Sequence, residues 1–265
     1  MSVRRVMVGL LGTLGRLAAG LVSPLAAAAA QPDPATAAQP AAKRGALLVV
    51  LDASGSMRRD GADGQTLMAS ARQAVSGLVG ALPDGAPVGL RVYGDRVPNT
   101  DETRGCKDTH LVVPVGRLDR GAIKKAVNTT KPKGFTPIGY SLKQAANDLP
   151  PEGKRTIVLV SDGKDTCAPP NPCKIAKQLA RQGADLKVDG VGLALRDPKA
   201  KRQLKCIADA TGGTYTDADS ADSLAKALRT FSTRAVQRYK TKGTQVHGGP
   251  AANNAPTVTP GSYTG

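Results

Sequence analysis

Five oxygen-bearing side chains stand just after apolar runs or in a loop shaped by glycine and proline. They are Asp52, Ser54, Ser56, Thr136 and Asp162. The first three follow one apolar run, the last follows another, and Thr136 lies between them in Gly-Phe-Thr-Pro. Two carboxylates and three hydroxyls offer only oxygen ligands, which a hard cation such as Mg²⁺ prefers. Because hydroxyls are neutral, such an ion is expected to seek one more anionic oxygen from outside.

The apolar runs and the helical patterns between them predict how these side chains are positioned. Residues 44–52 and 156–162 are typical of strands buried on both faces of a parallel sheet. Apolar residues at helical spacing over 67–82 predict an amphipathic helix. Strands that alternate with helices indicate an α/β fold, with a mostly parallel sheet and helices on both faces. Ligands of such folds bind beyond the carboxyl ends of the strands.

The other elements continue this alternation. Further strands are predicted over residues 88–94, 111–115, 186–195 and 214–217, and helices over 120–129, 138–149, 172–182, 197–210 and from 219 or 220 onwards. Pro114 inside one strand indicates a sheet edge, because proline has no N–H to donate to a neighbouring strand.

The order Asp52-x-Ser54-x-Ser56, then Thr136, then Asp162 resembles the von Willebrand factor A (VWA) domain. The resemblance covers about residues 44–240 and includes all five positions of the family's metal-ion-dependent adhesion site. It implies a doubly wound, Rossmann-like sheet of six strands in the order 3-2-1-4-5-6, with one antiparallel edge strand. It also implies that the three hydroxyls bind Mg²⁺ or Mn²⁺ directly, and that the two carboxylates bind directly or through water.

The resemblance implies an adhesion-type module, in which an acidic residue of a partner protein completes the coordination of the ion. We expect no enzyme, because the sequence has no Gly-x-Ser-x-Gly elbow and no phosphate-binding loop. The only two histidines, His110 and His247, exclude a multi-histidine zinc site. His110 is expected to be structural, and Asp165 is expected to be a solvated loop residue.

The four cysteines predict two disulfides rather than a metal site or free thiols, because an exported chain meets an oxidising compartment. They are Cys106, Cys167, Cys173 and Cys206, which allow three pairings. The family's strand order places Cys106 and Cys206 too far apart to bond. It favours Cys106–Cys167 with Cys173–Cys206, and leaves Cys106–Cys173 with Cys167–Cys206 as the alternative.

The first thirty residues are typical of an export signal. Arg4 and Arg5 precede an apolar run that ends in small residues near positions 28–30. Arg16 interrupts this run and makes it a poor membrane span, although an uncleaved anchor is the alternative. We therefore expect a signal peptide (1–30), a Pro/Ala-rich linker (31–43), the VWA domain (44–240) and a flexible tail (241–265). The mature protein is expected to be secreted or to reside in the cell envelope.

Basic residues outnumber acidic ones, at 37 Lys and Arg against 21 Asp and Glu, a net charge of +16. Removing residues 1–30 takes away three arginines and leaves 34 − 21 = +13. Such a surface favours acidic proteins or anionic polymers. The alternative function is therefore a basic envelope protein that binds a wall polymer or nucleic acid without metal, through residues 199–205 or 229–240. The aromatic content of only 3% argues against nucleic acid.

Overall fold

Strands alternate with helices along nearly the whole of the described chain. The computed structural model describes residues 43–181 and 185–239. Its strands are β1 (Lys43–Arg44), β2 (Ala46–Asp52), β3 (Pro87–Tyr93), β4 (Thr109–Arg117), β5 (Arg155–Ser161), β6 (Leu186–Leu193), β7 (Tyr215–Ala218) and β8 (Arg238–Tyr239). Its helices are α1 (Leu67–Ala81), α2 (Glu102–Gly105), α3 (Arg120–Thr129), α4 (Ile138–Asp148), α5 (Pro172–Arg181), α6 (Pro198–Ala210) and α7 (Ala221–Ala235), with a 3₁₀ turn at Gly55–Arg58.

Six strands form one sheet in the order β4-β3-β2-β5-β6-β7. All neighbours run parallel except β3 and β4, which are antiparallel. Counted along the chain, this is the order 3-2-1-4-5-6 with one antiparallel edge strand, so the predicted fold class is confirmed. The chain reverses its direction of travel across the sheet between β2 and β5. The carboxyl ends of those two strands therefore flank the crevice where such folds bind ligands.

The central strand β2 is buried at every position, as its continuous apolar run predicts. Its residues alternate between two apolar layers. Leu47 and Val49 pack with the helices α1, α3 and α7 on one face, whereas Leu48 and Val50 pack with α4, α5 and α6 on the other. Burying a leucine or valine side chain contributes about 1.5–3 kcal/mol. The strands whose ends carry Asp52 and Asp162 are therefore held rigidly from both sides.

The edge strand β4 contains a bulge at Pro114, the residue from which the edge position is predicted. Leu90 of β3 pairs with Val113 and Val88 pairs with Gly116, so one residue of β3 faces two of β4. That single residue is Gly89, where an added Cβ would lie 2.7 Å from the Cγ2 atom of Val115. Pro114 therefore occupies an edge position where its missing N–H breaks no ladder, and the edge assignment is confirmed.

The ends of the described chain pair with each other, since Lys43 of β1 lies opposite Tyr239 of β8 in an antiparallel ladder. The first strand thus begins one residue inside the predicted linker. The predictions for the signal peptide, for residues 31–42 and for the tail from residue 241 lie outside the described residues. Within residues 43–181 and 185–239, no helix is both long enough and apolar enough to cross a membrane.

Candidate metal centre

The five predicted residues occupy three loops at the carboxyl edge of the sheet. Asp52 is the last residue of β2, and Ser54 and Ser56 lie in the turn that follows it. Asp162 comes directly after β5, and Thr136 lies just before α4. Four of the five are buried, whereas Ser56 is exposed and marks the open side of the cluster.

Asp52 forms the floor of the cluster and is completely buried. Its Oδ1 atom accepts a hydrogen bond from the backbone amide of Ser54 at 2.8 Å. Its Oδ2 atom accepts a hydrogen bond from the hydroxyl of Ser161 at 2.7 Å. The first bond shapes the turn after β2, and the second ties β2 to the neighbouring strand β5. Both carboxylate oxygens are therefore fixed by neutral donors.

A second chain of hydrogen bonds runs from the turn after β2 to the end of β5. The hydroxyls of Ser54 and Ser56 lie 3.1 Å apart, and the Ser56 hydroxyl donates to Oδ1 of Asp162 at 2.8 Å. The guanidinium of Arg59 donates to Oδ2 of the same carboxylate at 3.1 Å. The Asp162 side chain is wholly shielded from solvent, whereas the Arg59 side chain is 45% exposed.

The loop that carries Thr136 is attached to both neighbouring loops by its backbone. The amide of Gly55 donates to the carbonyl of Gly134 at 2.9 Å, which binds this loop to the turn after β2. A side chain at Gly134 would collide with the carbonyl oxygen of Val97, so the close approach requires glycine. On the other side, the amide of Thr136 donates to the hydroxyl of Thr166 at 2.9 Å. Thr136 is thereby held between the loops of Asp52 and Asp162.

Burial makes both carboxylates of the cluster hard to ionise. Desolvation, together with the nearby charge of Asp162, raises the pKa of Asp52 to about 6. Desolvation also raises the pKa of Asp162, against the opposing effect of the Ser56 hydroxyl and the Arg59 guanidinium. The cluster thus holds two acids that repel each other beside one arginine. Its all-oxygen donor set and its excess of negative charge fit a hard divalent cation.

Comparison with known proteins identifies the family of the fold. The profile of the von Willebrand factor type A domain matches residues 47–164. The uncharacterised protein YwmC of Bacillus subtilis strain 168 is 31% identical over 172 residues, which cover 63% of this chain and 74% of YwmC. The chain belongs to the von Willebrand factor type A domain family.

Solved structures show the same fold. The von Willebrand factor type A structure from Catenulispora acidiphila aligns with a TM-score of 0.57 and 24% identity, covering 73% of this chain and 43% of that one. The pilus adhesin SpaC from Lactobacillus rhamnosus GG aligns with a TM-score of 0.59 and 18% identity, covering 74% of this chain and 31% of SpaC. This VWA chain therefore spans less than half the length of both structures.

Several residues of the candidate metal centre could not be recognised from the sequence. Ser161, Arg59 and Thr166 hold the site together, yet each stands outside the Asp-x-Ser-x-Ser pattern. Tyr93 pairs with Asp52 across the parallel strands and is fully buried. Its burial and the Asp52 carboxylate raise the pKa of its hydroxyl well above the ordinary value. The position of Ser161 directly before Asp162 is the one signal that the sequence offered.

Asp165 is buried, so the expectation of a solvated loop residue is wrong. Its Oδ2 atom accepts a hydrogen bond from the amide of Gly139 in the first turn of α4, at 2.8 Å. Its Oδ1 atom accepts one from the amide of Cys167 at 2.6 Å. Asp165 thus satisfies an otherwise free N–H at the start of the helix after Thr136, and it joins that helix to the loop after Asp162.

Two disulfides connect the cysteines in the pairing that the family's strand order favours. Cys106 bonds to Cys167, and Cys173 bonds to Cys206. The first ties the long loop between β3 and β4 to the loop after Asp162. The second joins the first turn of α5 to α6. One disulfide therefore lies beside the candidate metal centre, while the other links two helices.

Proposed function

We propose that this protein is an exported module that binds a partner protein through a divalent ion at the carboxyl edge of its sheet. The ion is Mg²⁺ or Mn²⁺, and the side chains that would hold it are those of Asp52, Ser54, Ser56, Thr136 and Asp162. The observation that carries the proposal is the continuous hydrogen-bonded path from Asp52 through the two serines to Asp162. That path brings together four of the five oxygen-bearing side chains, and backbone hydrogen bonds hold the loop of Thr136 between the same two loops.

The partner is expected to present a Glu or Asp side chain. Both oxygens of Asp52 and both oxygens of Asp162 already accept hydrogen bonds, so little of their charge is directed at the open face. An ion held by these groups and by hydroxyls would remain electron-poor on its exposed side. The basic surface of the exported protein, +13 without residues 1–30, would speed the approach of an acidic partner.

We propose binding rather than catalysis. Burial raises the pKa of Asp52 to about 6, but this carboxyl is completely buried and its two oxygens accept hydrogen bonds from Ser54 and Ser161. A general base must lie within hydrogen-bond reach of the proton that it removes. Asp52 is thus suited to positioning the turn and the ion.

Location outside the cell is part of the same proposal. The two disulfides fit an oxidising compartment, and the basic, apolar first thirty residues fit an export signal.

The alternative of metal-free binding to an anionic polymer has weaker support. In α6, the helix with the predicted basic run, Lys201 pairs with Asp217 at 3.1 Å and Lys205 pairs with Asp209 at 3.2 Å. These pairs neutralise part of the patch.

The test is calorimetric titration of Mg²⁺ and Mn²⁺ into the metal-stripped protein with its disulfides intact. We expect one saturable site, which is lost in Ser54→Ala/Asp162→Ala. The matched control is Asp222→Asn, which removes an exposed carboxylate and should leave binding unchanged. Equal binding by all three proteins would place the ion elsewhere and would refute the proposal. A polymer-binding role would instead give binding that falls steeply with salt and ignores EDTA.

A further inference from the structure

A second group of metal-ligating side chains lies at the end of β3 and the start of β4. Asp95, Asp108 and His110 each offer one ligand atom, and these atoms all lie within 4.8 Å of one another. His110 pairs with Val92 across the two strands, and the amide of Gly94 donates to the carbonyl of Asp108 at 3.0 Å. The group therefore sits at the carboxyl end of β3 and shares no residue with the five-residue site.

Two atoms of this group are buried without a hydrogen-bond partner. The Oδ1 atom of Asp95 and the Nδ1 atom of His110 are both shielded from solvent, and neither contacts a donor or acceptor at hydrogen-bonding distance. They lie 3.6 Å apart. Buried polar atoms nearly always have a hydrogen-bond partner. Two buried atoms that face each other without one therefore need an explanation.

The separation of these two atoms suits two ligands of one ion. It is longer than a hydrogen bond between nitrogen and oxygen. Two ligands about 2.1 Å from the same ion in tetrahedral geometry lie about 3.4 Å apart. An ion between Asp95 and His110 would satisfy both atoms at once.

Hydrogen bonds also fix the Asp108 carboxylate, the third possible ligand of such an ion. Its Oδ2 atom accepts hydrogen bonds from the amides of Arg96 and Val97, at 2.8 and 2.9 Å, and its Oδ1 atom accepts one from the Arg96 side chain at 2.9 Å. A carboxylate has about four acceptor positions, so one on Asp108 remains free. The three donors fix the orientation of the carboxylate, as partners of metal ligands commonly do.

We propose that Asp95, Asp108 and His110 form a second metal site, selective for Zn²⁺ over Mg²⁺. One imidazole nitrogen and two carboxylate oxygens are ligands that zinc accepts, whereas Mg²⁺ prefers oxygen alone. Three protein ligands leave the fourth tetrahedral position to water or to a ligand from outside. The proposal gives His110 a ligand role in place of the structural role that the sequence suggests.

The bound ion would stiffen the support of the first site. The carbonyl of Gly94, next to Asp95, accepts hydrogen bonds from the amides of Lys133 and Gly134, at 3.2 and 2.8 Å. Those two residues belong to the loop that carries Thr136. A zinc ion at Asp95 would fix the turn on which this loop rests.

The test is a Zn²⁺ titration of the untagged, disulfide-intact full chain, with a chromophoric chelator as competitor. It is run in the Ser54→Ala/Asp162→Ala background, so that zinc at the five-residue site does not contribute. We expect one tight zinc equivalent, with affinity at least about a hundredfold weaker after Asp95→Asn or His110→Gln, because losing a ligand costs no less than losing a group that only orients one. The matched control is His247→Gln, which removes the other histidine of the chain and should bind zinc normally. Thermal unfolding of each variant shows whether it is folded.

A spectroscopic readout separates a zinc site from a simple ion pair. If Nδ1 binds zinc, the ¹⁵N resonance of the His110 imidazole shifts on adding Zn²⁺. A resonance that responds to pH but not to zinc would mean that His110 only pairs with Asp95, and would overturn the proposal. Unchanged zinc affinity in a folded Asp95→Asn or His110→Gln protein would also overturn it. Neither result affects the Mg²⁺ site, which the Ser54→Ala/Asp162→Ala protein tests separately.

Discussion

Asp52 and Asp162 end neighbouring parallel strands with the same side chain, yet the protein fixes them in different ways. Asp52 is held by neutral donors from β5 and from its own turn, inside the sheet. Asp162 is held by a hydroxyl on the exposed turn and by a half-exposed arginine. The loop after Asp162 also depends on a disulfide at Cys167. The difference shows that burial fixes the position of Asp52. The position of Asp162 depends instead on a hydroxyl, an arginine and a disulfide, each of which a substitution can remove.

The largest expected effect on stability comes from removing a disulfide. The disulfides span 61 and 33 residues, and the chain-entropy estimate for rings of these lengths is about 4 kcal/mol each. Cys106→Ser/Cys167→Ser and Cys173→Ser/Cys206→Ser should therefore lose similar stability in urea unfolding. Only the first should also weaken Mg²⁺ binding, by about tenfold or 1.4 kcal/mol, because it frees the loop after Asp162.

The second disulfide is the matched control for the first, because it links α5 to α6 rather than two loops of the site. Equal loss of Mg²⁺ affinity in both variants would mean that general destabilisation, not the loop, sets the affinity. Calorimetry at a temperature where both variants remain folded distinguishes the two explanations.

The next largest effect is a pH dependence of stability, which originates at the buried Asp52. Burial raises the pKa of Asp52 from 3.8 to about 6, so folding favours the protonated acid. The stabilisation is complete below pH 3.8 and is lost as the pH rises through about 6. A shift of this size corresponds to about 3 kcal/mol. Urea unfolding of the metal-free protein between pH 4 and 8 should show this loss, and Asp52→Asn should flatten the profile.

Mg²⁺ should restore stability at pH 7.5, because the ion binds the ionised carboxylates. A metal-free protein whose stability difference from Asp52→Asn does not change with pH would show that Asp52 is ionised without penalty. That result would remove the electrostatic argument for a cation at this position.

The smallest expected effect is on Mg²⁺ affinity, and it comes from replacing Arg59, which pairs with Asp162. Arg59→Gln removes a positive charge that competes with the ion for this carboxylate, so Mg²⁺ affinity should rise. The gain should stay within about 1 kcal/mol, or about fivefold, because the arginine is half-exposed, and it should shrink with salt. Arg58→Gln is the control, since the exposed Arg58 donates to the carbonyl of Pro132 instead. A weaker affinity in Arg59→Gln would show that the arginine orients Asp162 for the ion.

The sequence predicted those parts of the protein that short segments determine. The buried runs at β2 and β5 specified a parallel sheet, and the order of the five oxygen-bearing side chains specified where its loops meet. Pro114 marked the edge strand correctly. The burial of Asp165 and the pairing of Arg59 with Asp162 were not predictable, because they depend on how loops distant in the sequence pack. The pairing of the cysteines followed only once the family's strand order was assumed.

The bulge at Gly89 and Pro114 has a consequence for how the molecule can associate. A regular edge strand offers a row of free backbone groups that another chain can extend by adding a strand. At β4 the bulge and the proline break that row, and at the opposite edge β7 is only four residues long. Neither edge of the sheet is suited to strand addition. The loops of the candidate metal centre follow the two central strands β2 and β5, so the binding face that we propose lies away from both edges.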